Sequence, residues 1–202
     1  MSLWLANQPL VLASKSASRR FLLESAGIPI EISVADVDER GIEAKASLAD
    51  PGAVAGLLAR EKALAVSAQR PGRMVLGADQ TLALGQRRFS KPADRAAARE
   101  QLKILRGQVH ALHSAVAIAR DGRVIFEHCA VARLAMRAFS DPFLESYLDA
   151  AGGAVTASVG AYQVEGVGVQ LFERIEGDHS TILGLPLVPV LDVLRREGAL
   201  SG

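Results

Sequence analysis

A short apolar run that leads through a serine-rich loop into paired arginines is the feature that most constrains the fold of this chain. Leu10–Ala13 are four consecutive apolar residues, a pattern typical of a buried strand. The residues Ser14-Lys15-Ser16-Ala17-Ser18 predict a tight loop, and a helix is predicted over Arg19–Ala26, with Gly27 suited to end it. A second strand, predicted over Pro29–Val34, completes a β-α-β unit and favours an α/β fold.

The same loop indicates an anion site. It brings backbone N–H groups, the hydroxyls of Ser14 and Ser16 and the positive end of a helix to one place. Arg19 and Arg20 in the first turn oppose the helix dipole, and a bound phosphate would relieve that conflict. The alternative is that Ser18 is only the N-cap of the helix and both arginines are solvated.

Composition limits the class of protein. The 202 residues are enough for one large domain or two small lobes, and 50% hydrophobic with 22% charged residues is typical of a globular chain. A formal net charge of +1 argues against a basic nucleic-acid binder. The single cysteine, Cys129, excludes an intramolecular disulfide, and we interpret it as an apolar strand residue. With no signal-peptide pattern and no membrane-length apolar run, the cytoplasm is the expected location and no membrane partner is expected.

Hydrophobic periodicity and turn residues predict the order β-α-β-α-β-β-α-β-β-α-β-α. After the opening unit, the predicted helices are Gly52–Ala68, Ala93–Leu105, Ser140 to Gly152-Gly153 and Pro186–Glu197. The predicted strands are Met74–Ala78, Thr81–Leu84, Val109–Ala119, Val124–Met136 and Val167–Phe172. A loop is predicted over Asp36–Asp50, a turn at Gly85-Gln86, and a hairpin turn at Asp121-Gly122 between the two long strands. The long hairpin makes the sheet mixed. Because composition does not shift along the chain, we predict one domain over residues 1–202, with two inseparable lobes on a continuous sheet.

Asp79 is predicted at the carboxyl end of a buried strand, two residues after Gly77. A carboxylate at that edge of an α/β sheet is placed for a crevice site, where it could hold a divalent cation or activate water. The alternative is an Asx turn between two strands.

Three other charged residues can be interpreted either as site residues or as ordinary solvated side chains. Lys91 precedes Pro92, which favours an extended backbone, and it could reach a phosphate as a point charge. A solvated lysine is the alternative for Lys91 and for Lys62, which lies inside a helix, and solvated surface is the alternative for Glu39. The segment Gly184-Leu185-Pro186-Leu187 starts the last helix, and packing suffices to explain it.

Taken together, these motifs resemble the Maf family of nucleoside triphosphate pyrophosphatases in their order along almost the whole chain. The residues that carry the resemblance are Leu12-Ala13-Ser14-Lys15-Ser16-Ala17-Ser18-Arg19-Arg20, Glu39, Lys62, Gly77-Ala78-Asp79, Lys91-Pro92, Leu105-Arg106-Gly107-Gln108-Val109-His110, Gly160-Ala161-Tyr162 and Gly184-Leu185-Pro186-Leu187. The resemblance implies a two-lobed α/β fold with a central cleft on a long mixed sheet, related to the inosine triphosphatase fold. It also implies hydrolysis of a nucleoside triphosphate to the monophosphate and diphosphate with a divalent cation (Mg, Mn or Co), and it is compatible with a homodimer.

The resemblance also assigns roles to residues. Those implied to line the phosphate site are Ser14, Ser16, Arg19, Arg20, Lys62 and Lys91. It implies that Asp79 is the proton acceptor and that Glu39 is an acidic residue of the same site. These two carboxylates are therefore the candidate metal ligands, and sequence leaves open whether Asp79 is the base, a ligand or both. Arginines, lysines and a metal would stabilise the negative charge on the phosphate oxygens and the leaving diphosphate.

Three positions bear on the base. Gln80, Glu165 and the loop length resemble the branch that acts on 7-methyl-GTP, whereas members acting on dTTP and UTP have a shorter loop with threonine and glutamine at these positions. A carboxylate at Glu165 would accept from the N1–H and N2–H₂ edge of guanine and offset the charge of an N7-methylated base. The chain also departs from the family pattern at two positions. Many members have proline where this chain has Ala17, and the 7-methyl-GTP branch usually has an aromatic residue where it has Ser18, so base stacking from that position would be lost. The alternatives are a dTTP/UTP pyrophosphatase and a nucleotide-binding regulator of septum formation.

Overall fold

The computed structural model of the chain describes residues 3–202 and has a mixed α/β architecture. The strands are β1 (Leu10–Leu12), β2 (Ile30–Ile32), β3 (Val75–Leu84), β4 (Arg87–Phe89), β5 (Val109–Arg120), β6 (Arg123–Met136) and β7 (Phe172–Glu176). The helices are α1 (Ala17–Ser25), α2 (Glu39–Ala46), α3 (Pro51–Ser67), α4 (Arg95–Leu105), α5 (Asp141–Ala151), α6 (Ala154–Ala157), α7 (His179–Ile182) and α8 (Leu187–Arg196).

The sheet has the strand order β2-β1-β3-β5-β6-β7, and β4 pairs with β3. β1 is parallel to β2 and β3, whereas β3–β4 and β6–β7 are antiparallel, so the predicted mixed α/β sheet is confirmed. The turn residues Asp121 and Gly122 join β5 to β6 with φ angles of 52° and 71°, as the hairpin motif predicts.

The described chain divides into two compact units. The first contains the residues through Gln80 together with Ser114–Ala130 and His179–Gly202, and the second contains Thr81–His113 and Val131–Asp178. The boundaries fall inside β3, β5 and β6, so each unit is assembled from separate segments of the sequence. That the two are inseparable stays a prediction.

The core of the first unit is built by the opening β-α-β unit. Leu10 and Leu12 of β1 are fully buried, and Leu22 and Leu23 of α1 pack in the same cluster, to which α8 adds Val190. Burial of a leucine side chain contributes about 1.5–3 kcal/mol, so this cluster fixes α1 against the sheet. The loop between β1 and α1 therefore has a defined position.

A second contact brings α3 unusually close to the sheet. Its buried residues are all alanines: Ala55, Ala59 and Ala63 of α3 face Ala115, Ala117 and Ala119 of β5, and the partly buried Leu64 packs against them. Gly77 of β3 extends the close approach, because a Cβ there would lie only 2.1 Å from the backbone oxygen of Ala59. Small side chains on both elements thus set the distance between helix and sheet.

Some sequence predictions are wrong. Residues 36–50 are not a continuous loop, because Asp38 accepts from the N–H of Gly41 and caps α2. Val167–Leu171 is a 3₁₀ helix rather than a strand, and β7 begins only at Phe172. A Cβ at Gly168 would lie 2.4 Å from the oxygen of Gln163, which shows how tightly this segment turns. The short helices α6 and α7 are not anticipated by periodicity.

Two further observations concern the surface. No helix within residues 3–202 has the length and apolar character needed to cross a bilayer. Cys129 lies on β6 as expected, but its side chain is exposed rather than part of the core. Neighbouring protein atoms desolvate its thiol in part and the negative charge of Asp50 lies nearby, so both effects raise the pKa of the thiol, which is the opposite of what an activated nucleophile requires.

Candidate active site

A lysine joins two carboxylates in the first unit. Lys62 Nζ lies 2.6 Å from Oδ1 of Asp79 and 2.9 Å from Oε1 of Glu39. The side chains of Lys62 and Asp79 are only 12% and 14% exposed, whereas that of Glu39 is 49% exposed. The solvated alternative for Lys62 is therefore wrong. Glu39 is half-exposed, so its surface alternative stands beside the predicted role, but the three predicted site residues lie together.

The local fold explains this contact. Lys62 precedes Ala63 on α3, at the level where Gly77 lets the helix approach β3. Successive strand residues point to opposite faces, so Asp79 lies on the same face as Gly77 and meets the lysine. Glu39 is the first residue of α2, whose start is fixed by the Asp38 cap.

Asp79 is not at the end of its strand, as predicted, but in the middle of β3, which continues to Leu84 because its far half pairs with β4. The Asx-turn alternative is thereby wrong. The parallel neighbour β1 pairs with β3 only as far as Leu12 opposite Leu76. Asp79 therefore still lies beyond the carboxyl end of a parallel strand, which is the expected location of a site in this class of sheet.

Burial raises the pKa of the Asp79 carboxyl, and the nearby charges of Lys62 and Arg19 offset that effect only in part. Desolvation dominates because the side chain is almost enclosed. A carboxylate that is more basic than usual is better suited to take a proton from water.

The predicted anion loop has the expected construction. Ser16 is the N-cap of α1, with its Oγ accepting from the N–H of Arg19, and its own N–H donates to Ser14 Oγ at 3.2 Å. The first turn of α1 contains no acidic residue, so its positive end is not neutralised locally. Because the cap is Ser16, the alternative of Ser18 as the N-cap is wrong, and Ser18 lies within the helix.

Arg19 turns inward from this loop. Its Nε donates to the oxygen of Gly184 at 2.8 Å, and its Nη1 donates to the oxygen of Ala78 at 2.8 Å and to Ser14 Oγ at 3.1 Å. Burial lowers the pKa of its guanidinium, while Asp79 and Glu39 raise it. Protein oxygens thus partly offset the positive charge of Arg19 at the helix N-terminus, which the sequence analysis expected a phosphate to offset. The bond to Ala78 also links the loop to the residue immediately before Asp79.

Arg20 has a different environment. It is exposed and pairs with Glu24 one turn along α1, Nε to Oε1 at 2.9 Å. This geometry is that of an ordinary i, i+4 surface pair, so the role of Arg20 in phosphate binding stays a prediction.

Gln80 lies on β3 in a network of hydrogen bonds. Its Nε2 donates to Ser114 Oγ at 2.8 Å and to the oxygens of Ile182 and Thr181 at 3.0 and 3.2 Å. The hydroxyl of Ser114, which is fully buried, donates to the oxygen of Thr181 at 2.7 Å. Sequence reasoning missed Ser114 and gave Gly184 only a packing role. No local motif marks Ser114, and the motif that begins at Gly184 does not indicate that its backbone oxygen accepts from Arg19.

The second unit contains the remaining predicted residues. Lys91 is exposed between β4 and α4, and Glu165 is exposed three residues after Tyr162. The Tyr162 hydroxyl and His110 Nε2 share a buried hydrogen bond of 2.7 Å, and Tyr147 donates to the oxygen of Ala161. Ala161 has a φ of 61°, so these bonds hold a strained turn immediately before the segment that contains Glu165.

The structure is an α/β protein in which a serine-capped helix N-terminus lies near a buried carboxylate that is paired with a lysine, and a helix N-terminus of this kind is typical of sites for phosphate groups. The chain belongs to the Maf-like protein family, which matches residues 9–197.

Individual relatives match over nearly their whole length. A protein of Rhodopseudomonas palustris (strain BisB18), named nucleoside triphosphate pyrophosphatase, is 56% identical over 201 residues, 100% of both chains. One of Bradyrhizobium diazoefficiens with the same name is 59% identical over 197 residues, 98% of each chain. One of Brucella abortus, named 7-methyl-GTP pyrophosphatase, is 50% identical over 195 residues, 96% of this chain and 98% of the relative.

Proposed function

We propose that the chain hydrolyses a nucleoside triphosphate to the nucleoside monophosphate and diphosphate, with 7-methyl-GTP as its preferred substrate. Family membership and relatives named nucleoside triphosphate pyrophosphatase support the reaction. The observation that carries it in this chain is the contact of Lys62 with Asp79, because it gives a buried carboxylate next to the Arg19 loop.

The residues suit attack by water on the α-phosphorus. Asp79 takes a proton from the water, whose oxygen forms a bond to phosphorus while the bond to the β-phosphate oxygen breaks. The diphosphate leaves with the electron pair of that bond. Arg19 and Lys62 stabilise the negative charge that accumulates on the phosphate oxygens.

Asp79 and Glu39 would hold the divalent cation (Mg, Mn or Co). Within residues 3–202 no group of three or more histidine, cysteine, aspartate or glutamate side chains is placed to bind a metal. Two carboxylates nevertheless fit Mg²⁺, which commonly takes one or two from the protein and completes its coordination with substrate phosphates and water. When bound, the cation would polarise the phosphate oxygens as a Lewis acid.

The preference for 7-methylguanine rests on Glu165 and on the Brucella abortus relative. The exposed carboxylate can accept two hydrogen bonds from the guanine edge and attract a methylated, positively charged base. The alternative substrates are dTTP and UTP. Such an enzyme would remove non-standard nucleotides from the cytoplasmic pool. It would need no nucleic-acid or membrane partner, and the family resemblance is compatible with a homodimer.

A nucleotide panel tests the proposal. Diphosphate release is measured from 7-methyl-GTP, GTP, dTTP and UTP with Mg²⁺, Mn²⁺ or Co²⁺. We expect the highest kcat/KM with 7-methyl-GTP, and we expect Asp79→Asn to abolish release while nucleotide binding is retained. Wild-type protein that binds nucleotides but never releases diphosphate would instead support the regulator of septum formation. A higher kcat/KM with dTTP or UTP would contradict the substrate preference alone.

A further inference from the structure

We propose that the buried pair His110 and Tyr162 positions Glu165, and that this pair thereby contributes to the choice of base. The inference rests on the proposed function in taking Glu165 to contact the base. His110 and Tyr162 are only 1% and 4% exposed, so they act through the backbone and not on the nucleotide itself. All three residues belong to the second unit.

Glu165 lies in a tight turn that begins directly after Tyr162. The N–H of Gly166 donates to the oxygen of Gln163 at 3.2 Å, which closes the turn around Glu165. Gly168 then packs against the same residue, since a Cβ there would lie only 2.4 Å from the Gln163 oxygen. The backbone of Glu165 is therefore fixed relative to Gln163, the residue that follows Tyr162.

The two ends of the segment that contains Glu165 meet on one group of rings. Tyr162 precedes residues 163–171 and Phe172 follows them, and the two rings are in edge-to-face contact with centroids 4.9 Å apart. The ring of His110 packs against both, with centroids 5.6 Å from Tyr162 and 5.9 Å from Phe172. The segment is thus held at both ends by contacts to the same imidazole.

One hydrogen bond fixes the Tyr162 ring within this group. The Tyr162 hydroxyl and His110 Nε2 are 2.7 Å apart, and among residues 3–202 the other ring nitrogen, His110 Nδ1, has no hydrogen-bond partner. Burial lowers the pKa of His110 to about 4, so the imidazole is neutral at pH 7. A buried hydroxyl that lost this partner would be left unsatisfied, and the bond therefore holds the ring in one position.

The backbone immediately before Tyr162 is strained. Ala161 has a φ of 61°, in the left-handed region that alanine rarely adopts, and its oxygen accepts from the Tyr147 hydroxyl at 2.9 Å. Gly160 has a φ of 84° and lies against the Tyr162 ring, where a Cβ would be 2.5 Å from Cε1. Strained backbone persists only where contacts impose it. Release of the Tyr162 hydroxyl should let this backbone relax and displace Glu165.

Nucleotide binding without turnover tests the proposal. The full chain with Asp79→Asn serves as the parent and is titrated calorimetrically with 7-methyl-GTP and with UTP. Base selectivity is the Kd for UTP divided by the Kd for 7-methyl-GTP. We expect Tyr162→Phe in this parent to reduce that ratio about fivefold, the size of one lost neutral hydrogen bond. A purely structural defect would weaken the binding of both nucleotides alike and leave the ratio constant.

A double-mutant cycle with Glu165→Gln assigns the effect to Glu165. In the Glu165→Gln background, Tyr162→Phe should leave the ratio unchanged, because the carboxylate that Tyr162 positions is absent. Ser146→Ala is the matched control. It removes a hydroxyl bond to the oxygen of Pro142 on the exposed face of α5, one residue from Tyr147, and should also leave the ratio unchanged.

Two results would overturn the proposal: a ratio that Tyr162→Phe does not change, or a change of the same size with and without Glu165→Gln. A parent that binds both nucleotides equally, prefers UTP or binds neither would overturn it together with the substrate preference. If circular dichroism shows that Tyr162→Phe is unfolded, His110→Phe/Tyr162→Phe replaces it in the cycle, and unfolding of both would make the pair a requirement of the fold and overturn its positioning role. If the cycle gives the expected coupling but the wild type hydrolyses no nucleotide, the proposed reaction is refuted and the positioning role is retained.

Discussion

Lys62 donates from Nζ to Oδ1 of Asp79 across 2.6 Å, and this bond joins helix α3 to strand β3 at the centre of the candidate site. Burial and charge act on Asp79 in opposite directions there. Burial raises the pKa of the carboxyl and the lysine lowers it, and burial is the larger effect. The lysine thus limits how basic the carboxylate becomes, in addition to its contact with Glu39.

Replacing Lys62 with methionine should shift the pH dependence of the reaction. Without its partner, the Asp79 carboxyl keeps the effect of burial and loses the opposing charge, so its pKa rises further. Because the base acts in its ionised form, we expect the acid limb of the kcat/KM profile to move to higher pH. The profile of diphosphate release against pH measures this.

Lys103→Met is the matched control, since Lys103 also pairs with a glutamate, Glu100, but on the exposed face of α4. Its profile should coincide with that of the wild type. A Lys62→Met enzyme that is slower at every pH, with an acid limb in the original place, would show that the lysine does not tune Asp79.

Gly77→Ala should destabilise the protein and separate Lys62 from Asp79. The added methyl group would lie 2.1 Å from the oxygen of Ala59, and backbone cannot move away as a flexible side chain can. Overpacking of this kind costs about 1–3 kcal/mol. Urea unfolding at pH 7 measures the change, and kcat should fall with it.

Gly56→Ala in α3, where nothing lies within 4 Å of the new Cβ, should instead be neutral or stabilising by up to about 1 kcal/mol. Equal effects of the two substitutions would contradict the close-approach explanation.

The sequence alone predicted the part of the site that depends on local structure. The strand, serine loop and helix around Ser14, Ser16 and Arg19 follow from neighbouring residues, and the structure retains them with the cap moved to Ser16. Lys62 was indistinguishable from a solvated lysine, because its burial depends on Gly77 and on the alanine contact between α3 and β5. Contacts between elements distant in sequence carry no local signal.

The same reason explains the errors around α2 and Gly184. α2 has no buried residue, so periodicity could not mark it, and its N-terminus depends on one capping aspartate, Asp38. Gly184 approaches Arg19 from 165 positions away in the sequence. A positive φ at Gly184 is compatible with its being glycine, but the sequence gives no indication that its oxygen accepts a hydrogen bond from Arg19.

Glu165→Gln should change which base is preferred. An amide accepts fewer hydrogen bonds from the guanine edge and has no charge for a methylated base. We expect kcat/KM for 7-methyl-GTP relative to UTP or dTTP to fall about 10- to 100-fold, as for a lost charged hydrogen bond. Adding Gln80→Thr, which places the residue of the dTTP and UTP branch at the second specificity position, should move the ratio further toward UTP or dTTP. Glu173→Gln, on exposed β7, is the control. A ratio that stays constant in Glu165→Gln would refute the specificity argument.

The buried pair His110 and Tyr162 should make stability depend on pH. His110 is 1% exposed, and burial lowers its pKa from 6.5 to about 4. Between these values the unfolded chain takes up a proton that the folded chain does not, so the free energy of unfolding falls as the pH falls through 6.5. The contribution from this residue between pH 7 and pH 5 is about 2 kcal/mol.

Urea unfolding at pH 7 and pH 5 isolates this contribution in the double variant His110→Phe/Tyr162→Phe. Replacing both partners leaves neither ring with an unmet hydrogen bond, so the fold should tolerate the change. We expect the difference in unfolding free energy between the two pH values to shrink by about 2 kcal/mol relative to the wild type. His128→Gln, at an exposed histidine of β6, should retain the wild-type difference. If the double variant also retains it, the pKa of His110 is the same in the folded and unfolded chains, and burial does not keep the imidazole neutral below pH 6.5.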